Sequence, residues 1–497
     1  MTAGATVPFD AVAITLDQKN LVEASAGTGK TYAITTLFVR LLLESQLDPS
    51  EILVVTFTEA ATAELRDRVR GRIVEAEAAF GAALAGEAPK DEAFARLAKR
   101  RGSALEDDLK RLRRAVENID EAPISTIHGF CQRVLHDNAF GTRVPFGAQL
   151  IPDLSELYDD VLYDLWQCRV AHGSPGFARQ AAALGVDMPR LRRLLEEARR
   201  NPRVAVVPVA LAPVEAEALE RALAEVRREL ARFDGFAYVG EHCKASDFGK
   251  GDALHRLLHE LRGCVACDEP NELYFPPGAE KLFPTEVAAR LYQKFAGDPG
   301  AAHPFFAAFE RLVRLSWLRV IALQHEVLRE LPKELERRKT QRGVLGFEDL
   351  LLRVADALAG EDGPRLEEAL RQRFRAVLID EFQDTDPVQF EIFERVFGGG
   401  SHPLFLIGDP KQAIYAFRGA DVFAYLAAAE NARRFSMGTS YRSDPGHVAV
   451  VNQLFRLPGT FVIPAIGYSD VAPKPAATDA FHAAHASGAA SVELLFV

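Results

Sequence analysis

Four short apolar runs punctuate the chain: Leu21-Val22, Ile52-Leu53-Val54-Val55, Ala376-Val377-Leu378-Ile379 and Leu404-Phe405-Leu406-Ile407. Runs of this kind, without polar alternation, predict strands buried on both faces, as in a parallel sheet. After the first run Ile34, Leu37, Phe38 and Leu41 fall on one helical stripe. Strand–helix alternation over 1–140 and again over 347–435 predicts one α/β sheet domain assembled from two separated stretches. Residues 141–346 carry Ala, Leu, Arg and Glu at helical spacing, broken by Gly173-Ser174-Pro175-Gly176 and Phe275-Pro276-Pro277-Gly278. They predict a helical domain inserted into the sheet domain. A further domain is expected to start at 436 and to be incomplete, because the sequence turns Ala-, Gly- and Pro-rich and stops on the apolar run Val492–Val497. That last part is expected to pack poorly and to be trimmed first by proteases.

The first run leads into Ala24-Ser25-Ala26-Gly27-Thr28-Gly29-Lys30-Thr31. Small residues let backbone N–H groups turn toward a triphosphate, Lys30 reaches its terminal phosphates, and Thr31 offers a hydroxyl to Mg²⁺. Ala24 stands where glycine is usual, which touches only the start of the turn. The third run ends in Asp380-Glu381, one acid for a metal-bound water and the next for an attacking water. Strand–loop–helix order around the first motif is the context it requires, and the pair predicts NTP hydrolysis with Mg²⁺ held at Thr31 and Asp380.

Three further stretches place polar donors beside rings. Thr56-Phe57-Thr58 follows the second run and suits phosphate contact and base stacking on a single strand; a plain strand-to-helix turn capped by Thr58 is the competing reading. Ser125-Thr126-Ile127-His128-Gly129-Phe130 repeats the theme, with a core histidine as the alternative. Gly408-Asp409-Pro410-Lys411-Gln412-Ala413-Ile414-Tyr415-Ala416-Phe417-Arg418 combines an amide at Gln412 with two rings and a guanidinium fork, and an aromatic core does not account for that combination. Ser440-Tyr441-Arg442 adds a ring for adenine and an arginine for the γ-phosphate.

Composition sets bounds on these readings. The chain has 497 residues, 48% hydrophobic and 26% charged, which is ordinary for several globular domains. No apolar run approaches the ~20 residues of a membrane span, and no signal-peptide pattern opens the sequence. Five scattered cysteines fit a reducing, cytoplasmic setting. A net charge of −11 excludes a protein that coats nucleic acid with its whole surface but leaves room for a local basic cleft.

These motifs, in this order, resemble the UvrD-type superfamily 1 DNA helicases, and within them the RecB family, the helicase subunits of exodeoxyribonuclease V. The resemblance rests on Leu21–Thr31, Val54–Arg66, Thr126–Arg133, Ile379–Pro387 and Gly408–Asp421 and covers essentially the whole chain. It implies an α/β, RecA-like P-loop NTPase domain with a large helical insert and part of a second RecA-like domain. It implies ATP and Mg²⁺ as cofactors, single-stranded and duplex-end DNA as substrates, 3′→5′ movement, and RecC-like and RecD-like partner subunits. Carried over by it, Lys30, Thr31, Asp380, Glu381, Gln412 and Arg442 serve hydrolysis, and Tyr32 and Tyr441 flank the adenine. Phe57, Thr58, His128, Tyr415, Phe417 and Arg418 face single-stranded DNA, with Phe130 beside them. A base-reading glutamine is expected near Gln18, and Gly343–Leu350 resembles the segment that rejoins the motor domain after the insert. The family's later motifs, with a second arginine, and its nuclease domain have no counterpart in this sequence. The sequence as given is therefore expected to be a weak ATPase that does not unwind DNA.

Two other readings share the motif order: a helicase–nuclease of the AddA type, and a non-catalytic, ATP-binding scaffold. One constellation stands outside all of them. His255, His259, Cys264 and Cys267 have spacing suited to a structural zinc, or else lie on a solvated helix face by chance.

Overall fold

A computed structural model describes residues 6–138, 148–200, 204–400, 402–415, 419–457 and 459–475. Phe417, Arg418 and the run at 491–497 lie outside the described residues. The chain divides into two compact units, Met1–Ala148 with Leu345–Val497, and Gln149–Val344.

The first unit is built on a seven-stranded sheet. In chain order its strands are β1 (Val7–Pro8), β2 (Lys19–Ala24), β3 (Ile52–Thr56), β4 (Ile124–Thr126), β5 (Ala376–Ile379), β6 (Leu404–Gly408) and β7 (Arg433–Met437). In space they run β1-β7-β2-β6-β5-β3-β4, and every pairing is parallel. The residues of the three apolar runs at 52–55, 376–379 and 404–407 are each at most 3% exposed, as expected of strands covered by helices on both faces. Cover on one side comes from α1 (Lys30–Glu44), α2 (Glu59–Leu84), α3 (Glu92–Arg101) and α4 (Leu105–Glu117), which share one apolar cluster with β2, β3 and β5.

Register brings the loops together. Glu23 pairs with Gly408, Ile379 with Leu406 and with Val55, and Thr56 with Thr126. The carboxyl ends of β2, β6, β5, β3 and β4 therefore lie along one edge of the sheet, where a doubly wound fold puts its ligand. Gln18 precedes β2 with a left-handed φ of 58° and its carbonyl accepts the Leu404 amide at 3.0 Å. Its backbone thus helps align β6 with β2, while its side chain is exposed.

The second unit is largely helical. The 26-residue helix Pro304–Arg329 contributes Phe305, Phe306 and Phe309 to one apolar cluster and Val320, Leu323 and Val327 to another. Buried Gln180 accepts from the Phe275 amide at 2.9 Å and from the Ser316 hydroxyl at 3.0 Å, so a polar side chain inside the unit is satisfied.

One expectation needs correction, and one open alternative is decided. Phe130, expected beside single-stranded DNA, is 2% exposed and packs on Phe374 and Phe393 at centroid distances of 5.8 and 5.7 Å. A ring closed off in this way is core and offers no face to a base. The zinc reading also fails on geometry. His255 and Cys264 are both on the helix Ala253–Val265, and their separation places them about 180° apart around its axis. Both histidines are exposed, whereas Cys264 and Cys267 pack against the apolar cluster. Among the described residues no group of three or more His, Cys, Asp or Glu is arranged to hold a metal ion. Among them, too, no helix is long and apolar enough to cross a membrane.

Because Phe130 is a core side chain, Phe130→Ala is expected to lower stability by about 3–5 kcal/mol, measured by denaturant unfolding.

Candidate nucleotide and nucleic-acid site

The loop after β2 turns twice through left-handed backbone, at Gly27 (φ 77°) and Gly29 (φ 92°). Between them Thr28 is buried, its hydroxyl donating to the Ser25 carbonyl at 2.7 Å. α1 then starts at Lys30 with Gly29 as its N-cap, no capping side chain and no acid in its first turn. Its first N–H groups and the positive end of its dipole are thus left for an anion, which fits a phosphate cradle. Gly27 is also required by packing. A Cβ there would lie 2.6 Å from Arg442 Cβ, and the Tyr441 amide donates to the Gly27 carbonyl at 2.8 Å. Two residues more than 400 positions away in sequence are thereby docked on the loop, and Tyr441 is left 62% exposed.

The carboxylates arrive from β5. The Asp380 amide donates to the Val55 carbonyl at 2.9 Å, which fixes the strand end. Glu381 follows in a left-handed conformation, φ 50°, which a non-glycine residue adopts only when its surroundings impose it. Its carboxylate is ion-paired with the Lys30 ammonium and accepts the Gln383 amide at 2.9 Å. Burial and the neighbouring Glu381 charge push the Asp380 carboxyl up to about 6, against the pull of Lys30. The same two causes push Asp384 up to about 6.

The end of β6 is tied into this cluster. Gln383, 2% exposed, accepts the Asp409 amide at 2.9 Å through its Oε1. Asp409 in turn accepts from the Gln412 side-chain amide at 2.9 Å and pairs with Lys411 at 2.7 Å. Lys411 also pairs with Glu23 on β2. Burial alone would raise the Asp409 carboxyl, but Lys411 and the Gln412 bond outweigh it and hold it below the usual range. Gln383 and Lys411 were not singled out from sequence. The signal available was an amide flanked by acids, and a lysine beside an aspartate, at the ends of two buried strands.

Rings gather next to these loops. Phe57, after β3, stacks on Tyr415 at 5.5 Å with planes 25° apart, though they are 358 positions apart (415 − 57). Thr58 caps α2 by accepting the Ala61 amide at 3.1 Å, so the plain-turn reading accounts for its oxygen. His128 is half-buried, edge-on to Phe347 at 6.1 Å, and burial lowers its pKa even with Asp386, Glu348 and Glu59 nearby. Phe347 is 44% exposed at the start of a helix. Tyr32 is 46% exposed, two positions past Lys30. Ala24, Ser25, Ala26 and Thr31 all lie in or beside the phosphate loop, with Ala24 fully buried and Ala26 exposed.

A RecA-like sheet with a phosphate loop, an acidic strand end and a glutamine-bearing third loop on one edge is the core of a helicase-type NTPase. The chain belongs to the UvrD/REP helicase family, matching its N-terminal domain over residues 8–162 and 312–433. It is 36% identical to RecBCD enzyme subunit RecB of Escherichia coli K12 over 90% of this chain and 38% of that protein. It is 32% identical to the subunit of the same name from Haemophilus influenzae, covering 91% of this chain and 41% of that one. The Mycobacterium tuberculosis RecB is also 32% identical, covering 94% and 31%. The chain thus spans well under half the length of these relatives. They do not favour the AddA-type or scaffold readings.

The two raised carboxyls set a pH dependence. Asp384 binds its proton more tightly folded (about 6) than at its ordinary value of 3.8, so between these values the unfolded chain deprotonates first. Stability from this group is therefore full below about pH 4, falls as pH rises toward 6, and stays low above it. Asp384→Asn removes that loss, so its advantage over the wild type should be near zero at pH 4 and grow to about 1–2 kcal/mol at pH 7, followed by unfolding at several pH values.

Proposed function

We propose that this chain carries the ATP-driven motor of a RecB-type DNA helicase subunit, which hydrolyses ATP with Mg²⁺ and moves 3′→5′ along a DNA strand entered from a duplex end. Its setting would be double-strand-break repair and recombination, with RecC-like and RecD-like subunits as partners. The observation that carries this reading is the convergence, on one sheet edge, of an anion-ready loop, a lysine–glutamate pair and a tyrosine–arginine pair docked on Gly27.

In this reading the N–H groups at the start of α1 and the Lys30 ammonium bind the phosphates, and Arg442 faces the terminal one. Glu381, paired with Lys30 in the structure, takes the proton of the attacking water. Gln412, bonded to Asp409, reports whether a terminal phosphate is present. Thr31 and Asp380 would hold Mg²⁺, which neutralises charge on the phosphate oxygens when bound. Phe57 and Tyr415, with Phe417 and Arg418, are assigned to the DNA strand, where each ring offers a face to a base. The domains are proposed as 1–140 and 347–435 for the first RecA-like motor domain, 141–346 for the insert and 436–497 for the start of the second.

Nucleotide binding and turnover separate the roles. Lys30→Ala should abolish Mg²⁺-ATP binding in a labelled-nucleotide assay. Glu381→Gln should retain binding and lose DNA-stimulated turnover by about 100-fold or more; parallel loss of binding would remove Glu381 as the base. Phe57→Ala should weaken single-strand binding by about tenfold or more at unchanged ATP affinity, read by fluorescence anisotropy of a labelled oligonucleotide.

A further inference from the structure

Tyr32 does not stand alone at the mouth of the phosphate loop. Arg72, on α2, is 6% exposed, and its guanidinium carbon lies 4.3 Å from the Tyr32 ring centroid and 4.0 Å from that of Phe94 on α3. The guanidinium edge is held as firmly as its faces. Nη1 donates to Asp91 at 2.7 Å and to Glu75 at 2.8 Å, while Nη2 donates to the Thr36 hydroxyl at 3.2 Å. Asp91 is fixed in turn, since it caps α3 by accepting the Phe94 amide at 3.0 Å. Phe94 is fully buried. Phe94, Arg72 and Tyr32 thus form a contact series, buried in the core at Phe94 and 46% exposed at Tyr32.

A buried arginine with this many partners is more than packing requires, because burying a guanidinium costs free energy that an apolar side chain would not incur. What the arrangement does achieve is a tyrosine ring with restricted motion and a cation beneath it. A half-exposed tyrosine otherwise loses rotamer freedom whenever something stacks on it. A cation on its inner face also draws density from the ring, so the outer face repels an electron-rich purine less.

Resting on the nucleotide reading above, we propose that Arg72 is a positioning residue for the base of the bound nucleotide: it holds Tyr32 as a shelf on which a purine stacks, while the phosphates lie in the 25–31 loop. Arg72 touches no nucleotide atom, and its effect passes through the ring.

The test compares two ligands of the same loop, Mg²⁺-ATP and Mg²⁺-tripolyphosphate, which has phosphates but no base. Arg72→Lys keeps the charge for Asp91 and Glu75 but removes the guanidinium that contacts both rings. It should weaken ATP binding about three- to tenfold and leave tripolyphosphate binding unchanged, with an unaltered thermal melt. Should Arg72→Lys melt early, Phe94→Leu, which leaves every Arg72 hydrogen bond in place, should show the same base-only loss. In a Tyr32→Ala background, Arg72→Lys should have no further effect on ATP affinity. Equal losses for ATP and tripolyphosphate, no loss for ATP, or effects of Tyr32→Ala and Arg72→Lys that simply multiply would each overturn the shelf. Tripolyphosphate binding indifferent to Lys30→Ala would overturn the loop assignment itself, and the shelf with it.

Discussion

Everything at the site depends on the parallel, in-register pairing of β2 with its two neighbours. Val22 faces Ile407 on one side and Phe435 on the other. Leu21 and Val22 are both buried, on opposite faces of the sheet, and a slip of one residue would exchange the faces they pack against. The same slip would carry the phosphate loop away from Gly408 and Asp409. β7 matters as much as β6, since Tyr441 and Arg442 follow it within five residues and reach Gly27 only at this register. Packing thus sets the chemistry, since the register that buries these strands also brings their carboxyl ends to one edge.

Electrostatics then tightens what register brings near. The cluster at the strand ends contains Glu23, Asp380, Glu381, Asp384 and Asp409 against Lys30 and Lys411. Glu23 pairs with the Arg434 guanidinium as well, at 4.0 Å, and Asp380, Asp384 and Asp409 depart from their ordinary values in two directions. Burial first, and the Glu381 charge second, push Asp380 and Asp384 up to about 6, so both hold protons in mildly acidic solution. Asp409 does the reverse, because Lys411 lies 2.7 Å away. The left-handed Glu381 belongs to the same balance, its backbone strain offset by the Lys30 and Gln383 contacts it makes.

Much of this was legible in the chain. The buried runs predicted the strands because they are short, rich in β-branched residues and followed by turn residues, and the acidic pair after Ile379 could be read off directly. Phe130 could not. In sequence it follows a histidine and a glycine, as a nucleic-acid-facing ring would, and only helix α5 (Ile127–Asp137) turns it toward Phe374 and Phe393. A three-residue step along a helix, unlike along a loop, decides whether a ring is inside or outside. The zinc pattern failed for the same reason, since spacing of histidines and cysteines implies proximity only if the axis between them is known. Arg72 was invisible because its partners come from three helices and no local pattern announces them.

The loop after β6 joins the acidic cluster to the Phe57–Tyr415 ring pair. It begins at Asp409, bonded to Gln383 and through it to Glu381, and three residues after Gln412 it reaches Tyr415, stacked on Phe57. Between the carboxylate beside Lys30 and the ring facing Phe57 there are only hydrogen bonds near 2.9 Å and a short covalent stretch. A Cβ at position 408 would lie 2.5 Å from the Gln383 Oε1. Glycine is there because the amide must pass that close. Glu381, Gln383, Asp409 and Tyr415 are thus joined in series by direct contacts: two hydrogen bonds of 2.9 Å, then six residues of backbone.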